Sequence, residues 1–171
     1  MVEVLDLTDR RVVEEVLALQ RVSYAVEARL IGTSEIPPLR DTPATLGDCG
    51  ETFYVYRIED ELVGAISYRV SGEVLDIHRL VVHPDHFRKG IARLLVGHVA
   101  RVVPGVQRTV VSTGSENGPA RSLYRSLGFR ETGEFEPSPG LRITTFERWA
   151  TSRARDDGAG PADAELAQGP L

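Results

Sequence analysis

The chain has 171 residues, of which 42 % are hydrophobic and 26 % are charged, and its net charge at neutral pH is −5. This length suits one domain with a sizeable core, and the negative charge argues against a nucleic-acid partner, which needs clustered positive charge. The sequence has no apolar run of the roughly 18 residues that a membrane span requires, and its N-terminus lacks the pattern of a signal peptide. The single cysteine, Cys49, excludes an internal disulfide. We therefore expect a cytoplasmic protein without a membrane partner.

Composition divides the chain into two parts. Residues 1–149 carry periodic apolar positions, whereas residues 150–171 are rich in Ala, Gly, Pro and Asp and contain little to bury. We expect one folded domain over 1–149 and a disordered tail over 150–171. His, Cys and carboxylate residues do not occur at zinc-ligand spacing, so we expect no metal.

The N-terminal part of the domain predicts two helices. Thr8 is the expected cap of a long amphipathic helix that reaches Ile31, and Gly32 ends it. The loop that follows contains paired prolines, which argue against a helix there. A second, short helix is expected over 44–49.

The remainder of the domain alternates strands and helices. Runs rich in β-branched and aromatic residues predict strands, and they lie at 52–59, 62–70, 73–82, 108–113, 129–135 and 141–148. Helical spacing predicts two more helices, at 90–103 and 117–128. The expected fold class is therefore α+β, with a mixed, mostly antiparallel sheet flanked by about four helices.

The loop between the third strand and the next helix, HPDHFRKGIAR over 83–93, contains the only lysine in the chain, Lys89. The first N–H groups of a helix have no carbonyl partner, and the helix dipole makes this end positive. Gly90 admits a ligand to the backbone, Ala92 keeps the first turn small, and Arg88 adds charge beside Lys89. Such a loop suits a diphosphate. A strand–helix connector with a solvated basic tip would look the same.

A second motif, NGPARSLYRSLGF over 117–129, gives the loop a context. Together the two segments resemble the GNAT N-acetyltransferase superfamily, whose members use acetyl-CoA. The first signature of that superfamily, [RQ]-x-x-G-x-[GA], aligns with residues 87–92, although Phe87 departs from the usual Arg or Gln. The second signature, N-x-x-A-x-x-x-Y-x-x-x-G-F, is matched in full. Its matched residues are Asn117, Ala120, Tyr124, Gly128 and Phe129.

The resemblance implies that acetyl-CoA is the co-substrate and indicates which residues bind it. The backbone N–H groups of the loop would bind the pyrophosphate. These belong to Arg88, Lys89, Gly90, Ile91, Ala92 and Arg93. The main chain of Leu80 and Val82 would pair with the pantetheine arm, to which Asn117 would also bond. Tyr124 would lie near the thioester sulfur and act as the general acid, and the oxyanion would meet a backbone N–H near Val82.

The strand EVLDIHRLVV supplies a candidate base. Because side chains alternate along a strand, Asp76, His78, Leu80 and Val82 are expected on one face. A histidine titrates near neutrality, so His78 could deprotonate an ammonium directly or through water, while Asp76 orients it or binds the amine's charge. A polar pair at a solvent-facing edge, with a water chain as the base, is the alternative.

The family places its acceptor pocket at the first helices and the loop between them, where this chain has Tyr24, Glu27, Glu35 and Asp41. Their carboxylates suit a cationic amine such as a polyamine, an amino sugar or a lysine-like group, although Glu27 fits a surface helix face equally well. The predicted function is transfer of an acetyl group from acetyl-CoA to a primary amine of a small molecule by direct attack. Alternatives are a protein amine as acceptor, another acyl-CoA as donor, or a non-catalytic acyl-CoA-binding module. A homodimer is a possible assembly.

Overall fold

The computed structural model describes residues 1–33 and 36–150. Within these residues seven strands form one sheet with the order β1-β2-β3-β4-β5-β7-β6. The strands are β1 (Val2–Val4), β2 (Thr52–Ile58), β3 (Glu61–Ser71), β4 (Val74–Val82), β5 (Arg108–Gly114), β6 (Arg130–Ser138) and β7 (Leu141–Trp149). Neighbouring strands are antiparallel except for β4 and β5, which run parallel. The expected α+β class with a mixed, mostly antiparallel sheet is confirmed.

Four α-helices accompany the sheet in the described part of the chain, as expected. They are α1 (Arg10–Ile31), α2 (Pro43–Gly47), α3 (Ile91–Val102) and α4 (Gly118–Ser126). Two short 3₁₀ helices, Pro37–Arg40 and Pro84–His86, lie in the loops that precede α2 and α3. None of the described helices is long and apolar enough to cross a membrane.

The beginning of α1 differs from the sequence prediction. Asp9, not Thr8, is the cap, because its side chain accepts a hydrogen bond from the backbone N–H of Arg11. The hydroxyl of Thr8 instead donates to Asp6 over 2.7 Å. Gly32 ends the helix with a left-handed φ of 72°, as expected. The backbone N–H of Thr8 also donates to Asp6, over 2.9 Å, so Thr8 belongs to a turn that Asp6 closes before the helix begins.

One prediction for the loops was wrong and one edge strand was not predicted. The sequence argued against a helix at the paired prolines, but a short one forms there. The paired prolines open the 3₁₀ helix Pro37–Arg40, because the fixed φ of proline suits the first position of a helical turn. The edge strand β1 is only three residues long and pairs with β2. So short a segment shows no measurable alternation, which explains why the sequence gave no sign of it.

The sheet separates two apolar layers. One lies under α3 and α4, and its buried members include Val63, Ile66, Leu75, Ile77, Val82, Leu95 and Phe146. The other lies under α1 and α2, and its buried members include Val16, Leu17, Leu46, Phe53, Val55 and Val81. Strand β4 is central to the sheet and contributes to both layers.

A β-bulge at His78 changes which side chains of β4 share a face. Tyr68 of β3 pairs with Ile77, and the preceding residue, Ser67, pairs with Arg79, so His78 is an extra residue without a partner in β3. A bulge resets the two-residue alternation of a strand.

The expected common face of Asp76, His78, Leu80 and Val82 was therefore wrong. Leu80 and Val82 pack in the layer under α3 and α4. The side chains of Asp76 and His78 contact each other and lie with Glu51 in a separate polar region.

Two sequence expectations fall outside the described residues. These are the character of the tail, apart from Ala150, and the contribution of Glu35 to the acceptor pocket.

Candidate active site

Strands β4 and β5 diverge and open a cleft in the middle of the sheet. Their parallel pairing ends at Ile77 and Val111, although β4 continues to Val82 and β5 to Gly114. The edge of β4 beyond Ile77 therefore has no strand partner on the side of β5. The opening forms a cavity of about 170 Å³ that α1, α4, β4, β5 and β7 all line.

Helix α4 brings Asn117 and Tyr124 to this cavity. Asn117 is the cap of the helix, and its side-chain oxygen accepts a hydrogen bond from the N–H of Ala120 over 3.1 Å. The amide NH₂ of Asn117 takes no part in this bond and can donate to a ligand. Pro119 in the first turn fixes the backbone direction at this point.

Tyr124 is only 4 % exposed, and its ring packs against Phe129 and Phe146 with centroid distances of 5.7 and 5.4 Å. The residue lines the cavity, and within the described residues its hydroxyl has no hydrogen-bond partner. Burial, followed by the negative charge of Glu27, raises the pKa of Tyr124 well above its ordinary value. The phenol is therefore a neutral donor directed at an internal space.

Helix α1 supplies the other side of the cavity. Tyr24 and Glu27 are three residues apart, so they lie on one helical face, and both line the cavity. Tyr24 is 7 % exposed, and burial together with Glu27 raises its pKa. Glu27 accepts a hydrogen bond from Thr113 of β5 over 3.3 Å. The two residues predicted to bind the acceptor thus share one cavity with Tyr124.

A second cavity of about 310 Å³ adjoins the first. The two cavities share five lining residues. The shared residues are Pro38, Ile77, His78, Arg79 and Ser112. The second cavity adds Glu51 and Asp76 to the lining.

Glu51 is a site residue that the sequence did not indicate. Its side chain is 6 % exposed and accepts a 2.6 Å hydrogen bond from Ser67. It also forms an ion pair with Arg79 and lies 3.1 Å from Nδ1 of His78. Burial acts to raise the pKa of Glu51, but the hydrogen bonds from Ser67 and Arg79 outweigh it and hold the pKa below its usual value. Glu51 is therefore ionised at neutral pH.

Asp41 is not available to an acceptor in the way the sequence suggested. One of its carboxylate oxygens, Oδ2, lies 3.1 Å from both Arg79 and Gln20. Arg79 is itself held between Asp41 and Glu51 and stacks over the ring of Phe53 at 5.7 Å. We refer to Asp41, Glu51, Asp76, His78 and Arg79 together as the charged cluster.

The predicted anion-binding loop lies where β4 leads into α3. Arg88 and Gly90 both have left-handed backbone angles, with φ of 63° and 80°, and α3 begins at Ile91 without a side-chain cap. The first backbone N–H groups of the helix are thus free to bind an anion. Among the side chains, Arg93 donates to Ser126 over 2.8 Å.

The backbone conformation at Gly90 gives a reason for glycine within the protein itself. A Cβ atom at this position would meet no protein atom within 4 Å. The left-handed φ, which side chains disfavour, explains the glycine within the protein itself.

The chain matches the Acetyltransferase (GNAT) family over residues 15–129. It therefore belongs to this family of acetyltransferases, as the two sequence motifs indicated. It is 36 % identical over 146 residues to the UPF0157 protein YqkA of Bacillus subtilis (strain 168), a match that covers 85 % of this chain and 43 % of that protein. It is 30 % identical over 101 residues to N-acetyltransferase 8 of Homo sapiens, covering 54 % and 44 % of the two chains. The matches span less than half the length of both relatives.

Solved structures share the fold. The ribosomal-protein-S18-alanine N-acetyltransferase of Escherichia coli superposes with a TM-score of 0.73 at 15 % identity, covering 93 % of this chain and 99 % of the other. The PaiA N-acetyltransferase of Thermoplasma acidophilum, in complex with coenzyme A, superposes with a TM-score of 0.64 at 16 % identity, covering 85 % and 98 %. At these identities the likeness concerns the fold alone.

Proposed function

We propose that this protein transfers an acetyl group from acetyl-CoA to a primary amine of a small molecule by direct attack. The observation that carries the proposal is Tyr124, a buried residue that lines the cleft between β4 and β5 and whose hydroxyl has no hydrogen-bond partner in the described residues. Membership of the acetyltransferase family and the complex of the PaiA N-acetyltransferase with coenzyme A support the choice of donor.

The proposed cofactor site follows the diverging strand. The backbone N–H groups from Arg88 to Arg93 bind the pyrophosphate, because α3 begins there with free donors. The unpaired edge of β4 at Leu80 and Val82 binds the pantetheine arm through main-chain hydrogen bonds. The amide NH₂ of Asn117 donates to the same arm. Acetyl-CoA bound along this path would have its thioester near Tyr124.

The proposed reaction begins when the acceptor ammonium loses one proton to His78, directly or through a water molecule. The neutral nitrogen attacks the thioester carbon, and a backbone N–H near Val82 stabilises the oxyanion. The carbon–sulfur bond then breaks, and the thiolate takes the proton of Tyr124. The nitrogen loses a second proton, which restores the phenol, and His78 returns its proton to solvent. The products are the N-acetylated amine and coenzyme A.

The environment of Tyr124 sets a condition on this step. Burial and the charge of Glu27 disfavour the phenolate, so a long-lived phenolate would be costly. Tyr124 should therefore donate its proton as the carbon–sulfur bond breaks and regain it from the amine nitrogen in the same turnover. Glu27 and Tyr24 hold the reacting amine beside it.

Thiol release from acetyl-CoA in the presence of a panel of amines tests the proposal. We expect acetyl-CoA to raise the melting temperature, since a ligand at a hundredfold excess over Kd stabilises by about 2.7 kcal/mol, and at least one small amine to be acetylated. Binding without turnover of any amine would show an acyl-CoA-binding module instead. Turnover only with peptides, or only with another acyl-CoA, would reassign the acceptor or the donor.

A further inference from the structure

Lys89, the only lysine in the chain, lies in the loop that leads into α3, and the proposed function uses only its backbone N–H. It stands between Arg88 and Gly90, whose backbone angles are both left-handed, and it is exposed. Its Nζ atom lies 3.4 Å from Nδ1 of His86. Within the described residues Lys89 forms no ion pair with a carboxylate. The one lysine amine of the protein is therefore accessible and has an imidazole as its neighbour.

The contact with His86 distinguishes Lys89 from an ordinary surface lysine. His86 ends the 3₁₀ helix Pro84–His86 and is half-buried, and its ring lies edge-on to that of His83 at 6.1 Å. A neutral imidazole can accept a proton near neutral pH, whereas a carboxylate at the same place would hold the ammonium in its charged form. The carboxylate of Asp85 contacts His83 at 3.8 Å. Lys89 thus has a proton acceptor beside it without a paired negative charge.

A lysine amine that has lost its proton is a nucleophile toward an acyl thioester. The chain belongs to a family of acetyltransferases, so acetyl-CoA is a thioester that it meets. In the proposed binding mode the pyrophosphate lies at this loop, whereas the thioester lies near Tyr124 at the other end of the pantetheine arm. An acetyl group that reaches Lys89 must therefore come from a thioester that is not bound in the same cleft.

We propose that Lys89 is an acetylation site, modified by a free acyl thioester with His86 as the proton acceptor, and that this modification weakens acetyl-CoA binding. The modification is separate from acetyl transfer to a small amine. Its effect on affinity rests on the proposed pyrophosphate site, but the acetylation itself does not.

The reaction balances without a further reagent. The ammonium of Lys89 gives one proton to His86, and the neutral nitrogen attacks the thioester carbon. A nitrogen–carbon bond forms and the carbon–sulfur bond breaks. The departing thiolate takes the second proton of the nitrogen, and His86 releases the first to solvent. The products are an acetylated Lys89 and a free thiol.

Acetylation removes a positive charge from the loop that is proposed to bind the pyrophosphate. Arg88 remains charged there, and Arg93 is bonded to Ser126, so the loop loses one of its few cationic side chains. A bound pyrophosphate would in turn hold the Lys89 ammonium in its charged form. The protein should therefore be modified when its cofactor site is empty and protected when that site is occupied.

The test measures acetylation of Lys89 by S-acetyl-N-acetylcysteamine, a short thioester without a pyrophosphate, through mass spectrometry of the peptides. Arg21→Lys, introduced into every protein tested, supplies a reference amine. Arg21 is exposed on α1 and has no charged partner among the described residues. We expect Lys89 to react about tenfold faster than the new lysine, an effect below that of a rigid enzyme base because the contact is exposed. His86→Gln should remove this difference, and His98→Gln, at a ring that packs on Tyr54, should keep it.

Two further measurements test the effect on affinity. Lys89→Gln, which lacks the charge as the acetylated residue does, should weaken acetyl-CoA binding about threefold in calorimetric titration, whereas Lys89→Arg should bind as the wild type does. Desulfo-coenzyme A, which retains the pyrophosphate but has no thiol, should slow acetylation of Lys89 and leave the reference lysine unaffected.

Equal rates for Lys89 and the reference lysine, or an unchanged rate in His86→Gln, would overturn the acetylation site. Normal acetyl-CoA binding by Lys89→Gln together with no protection by desulfo-coenzyme A would overturn the effect on affinity. The proposed function fails separately: if no small amine is acetylated while Lys89 reacts as expected, the modification stands and acetyl transfer to small amines is wrong.

Discussion

The Nδ1 atom of His78 lies 3.1 Å from Oε1 of Glu51, a buried carboxylate 27 positions earlier in the chain. A carboxylate at one ring nitrogen orients an imidazole and fixes which nitrogen carries the proton. Asp76, which the sequence suggested for this role, contacts the other nitrogen, Nε2, over 3.3 Å. Two carboxylates therefore hold the ring of the proposed base, and Glu51 is the one that the sequence did not indicate.

We expect His78→Gln to slow acetyl transfer and to remove the acidic limb of the pH–rate profile. A side chain that must be unprotonated to accept a proton produces such a limb, and glutamine does not titrate. The measurement is kcat/KM from pH 5 to 9, and His98→Gln is the control, since His98 packs against Tyr54 away from the cleft. If the variant keeps the acidic limb of the wild-type pH–rate profile, a water chain and not His78 accepts the proton.

We expect Tyr124→Phe to lower kcat about 10²–10³-fold with little change in acetyl-CoA affinity, because the ring remains and only the proton donor is lost. The raised pKa of Tyr124 means that the wild-type phenol stays protonated above its ordinary pKa of about 10. The rate should therefore show no loss attributable to Tyr124 up to about pH 9.5.

Tyr24→Phe is the matched comparison for this variant. Tyr24 lines the same cavity but has a proposed role in binding the amine, so its loss should raise KM for the amine more than it lowers kcat. Equal rates for wild type and Tyr124→Phe would reduce Tyr124 to a packing residue.

Local sequence signals predicted the parts of the site that depend on neighbouring residues. Asn117 and Tyr124 belong to one motif on one helix, and the loop before α3 is a continuous segment, so both could be located before the structure was known. The bulge at His78 arises from how β4 pairs with β3. The sequence of one strand does not specify the register in which that strand pairs with its neighbour. Glu51 has no motif, and it acquires its role from contacts with β3 and β4 that only the folded sheet creates.

The depressed pKa of Glu51 predicts a loss of stability in acid. The pKa of Glu51 is lower in the folded than in the unfolded state. Such a carboxyl stabilises the fold at pH values above its unfolded-state pKa, about 4.3. This stabilisation is lost as the pH falls through the folded-state pKa. We expect the free energy of unfolding of Glu51→Gln to be about 1–3 kcal/mol lower than that of the wild type at pH 7, with the difference shrinking below about pH 4.3.

Urea unfolding at pH 7 and pH 3.5 measures this difference. Glu116→Gln is the control, because it removes a carboxylate that pairs with Arg142 at an exposed position and should cost less than about 1 kcal/mol at either pH. A constant difference between wild type and Glu51→Gln across this range would contradict the proposed ionisation.

We expect Gly90→Glu to abolish the increase in melting temperature that acetyl-CoA causes. The new carboxylate would stand at the start of α3, where it would repel the pyrophosphate and obstruct the backbone N–H groups. Gly105→Glu is matched to it, since Gly105 also has a left-handed φ, 74°, and open space around it. Both variants should lose about 1–2 kcal/mol of stability through backbone strain, but only Gly90→Glu should lose the response to acetyl-CoA. Equal responses in the two variants would place the pyrophosphate elsewhere.

The last prediction concerns Gly64 of β3, where the sheet supports the beginning of α3. A Cβ atom at Gly64 would lie 2.6 Å from Cγ2 of Ile91 and 3.3 Å from Cδ1 of Leu95. Ile91 is the first residue of α3 and is buried, so it must move if Gly64 becomes alanine. Its backbone N–H is one of the proposed pyrophosphate donors, and the movement should therefore reach the cofactor site.

We expect Gly64→Ala to lower the free energy of unfolding by about 1–3 kcal/mol, the usual effect of overpacking a core, and to weaken acetyl-CoA binding at the same time. Gly97→Ala lies within α3, and its nearest neighbour would be a flexible arginine nitrogen of Arg101 at 3.7 Å. That control should stabilise the helix by about 0.5–1 kcal/mol and leave the affinity unchanged. Thermal unfolding and calorimetric titration with acetyl-CoA measure both quantities. A Gly64→Ala protein that is destabilised but binds acetyl-CoA normally would show that the start of α3 does not hold the pyrophosphate.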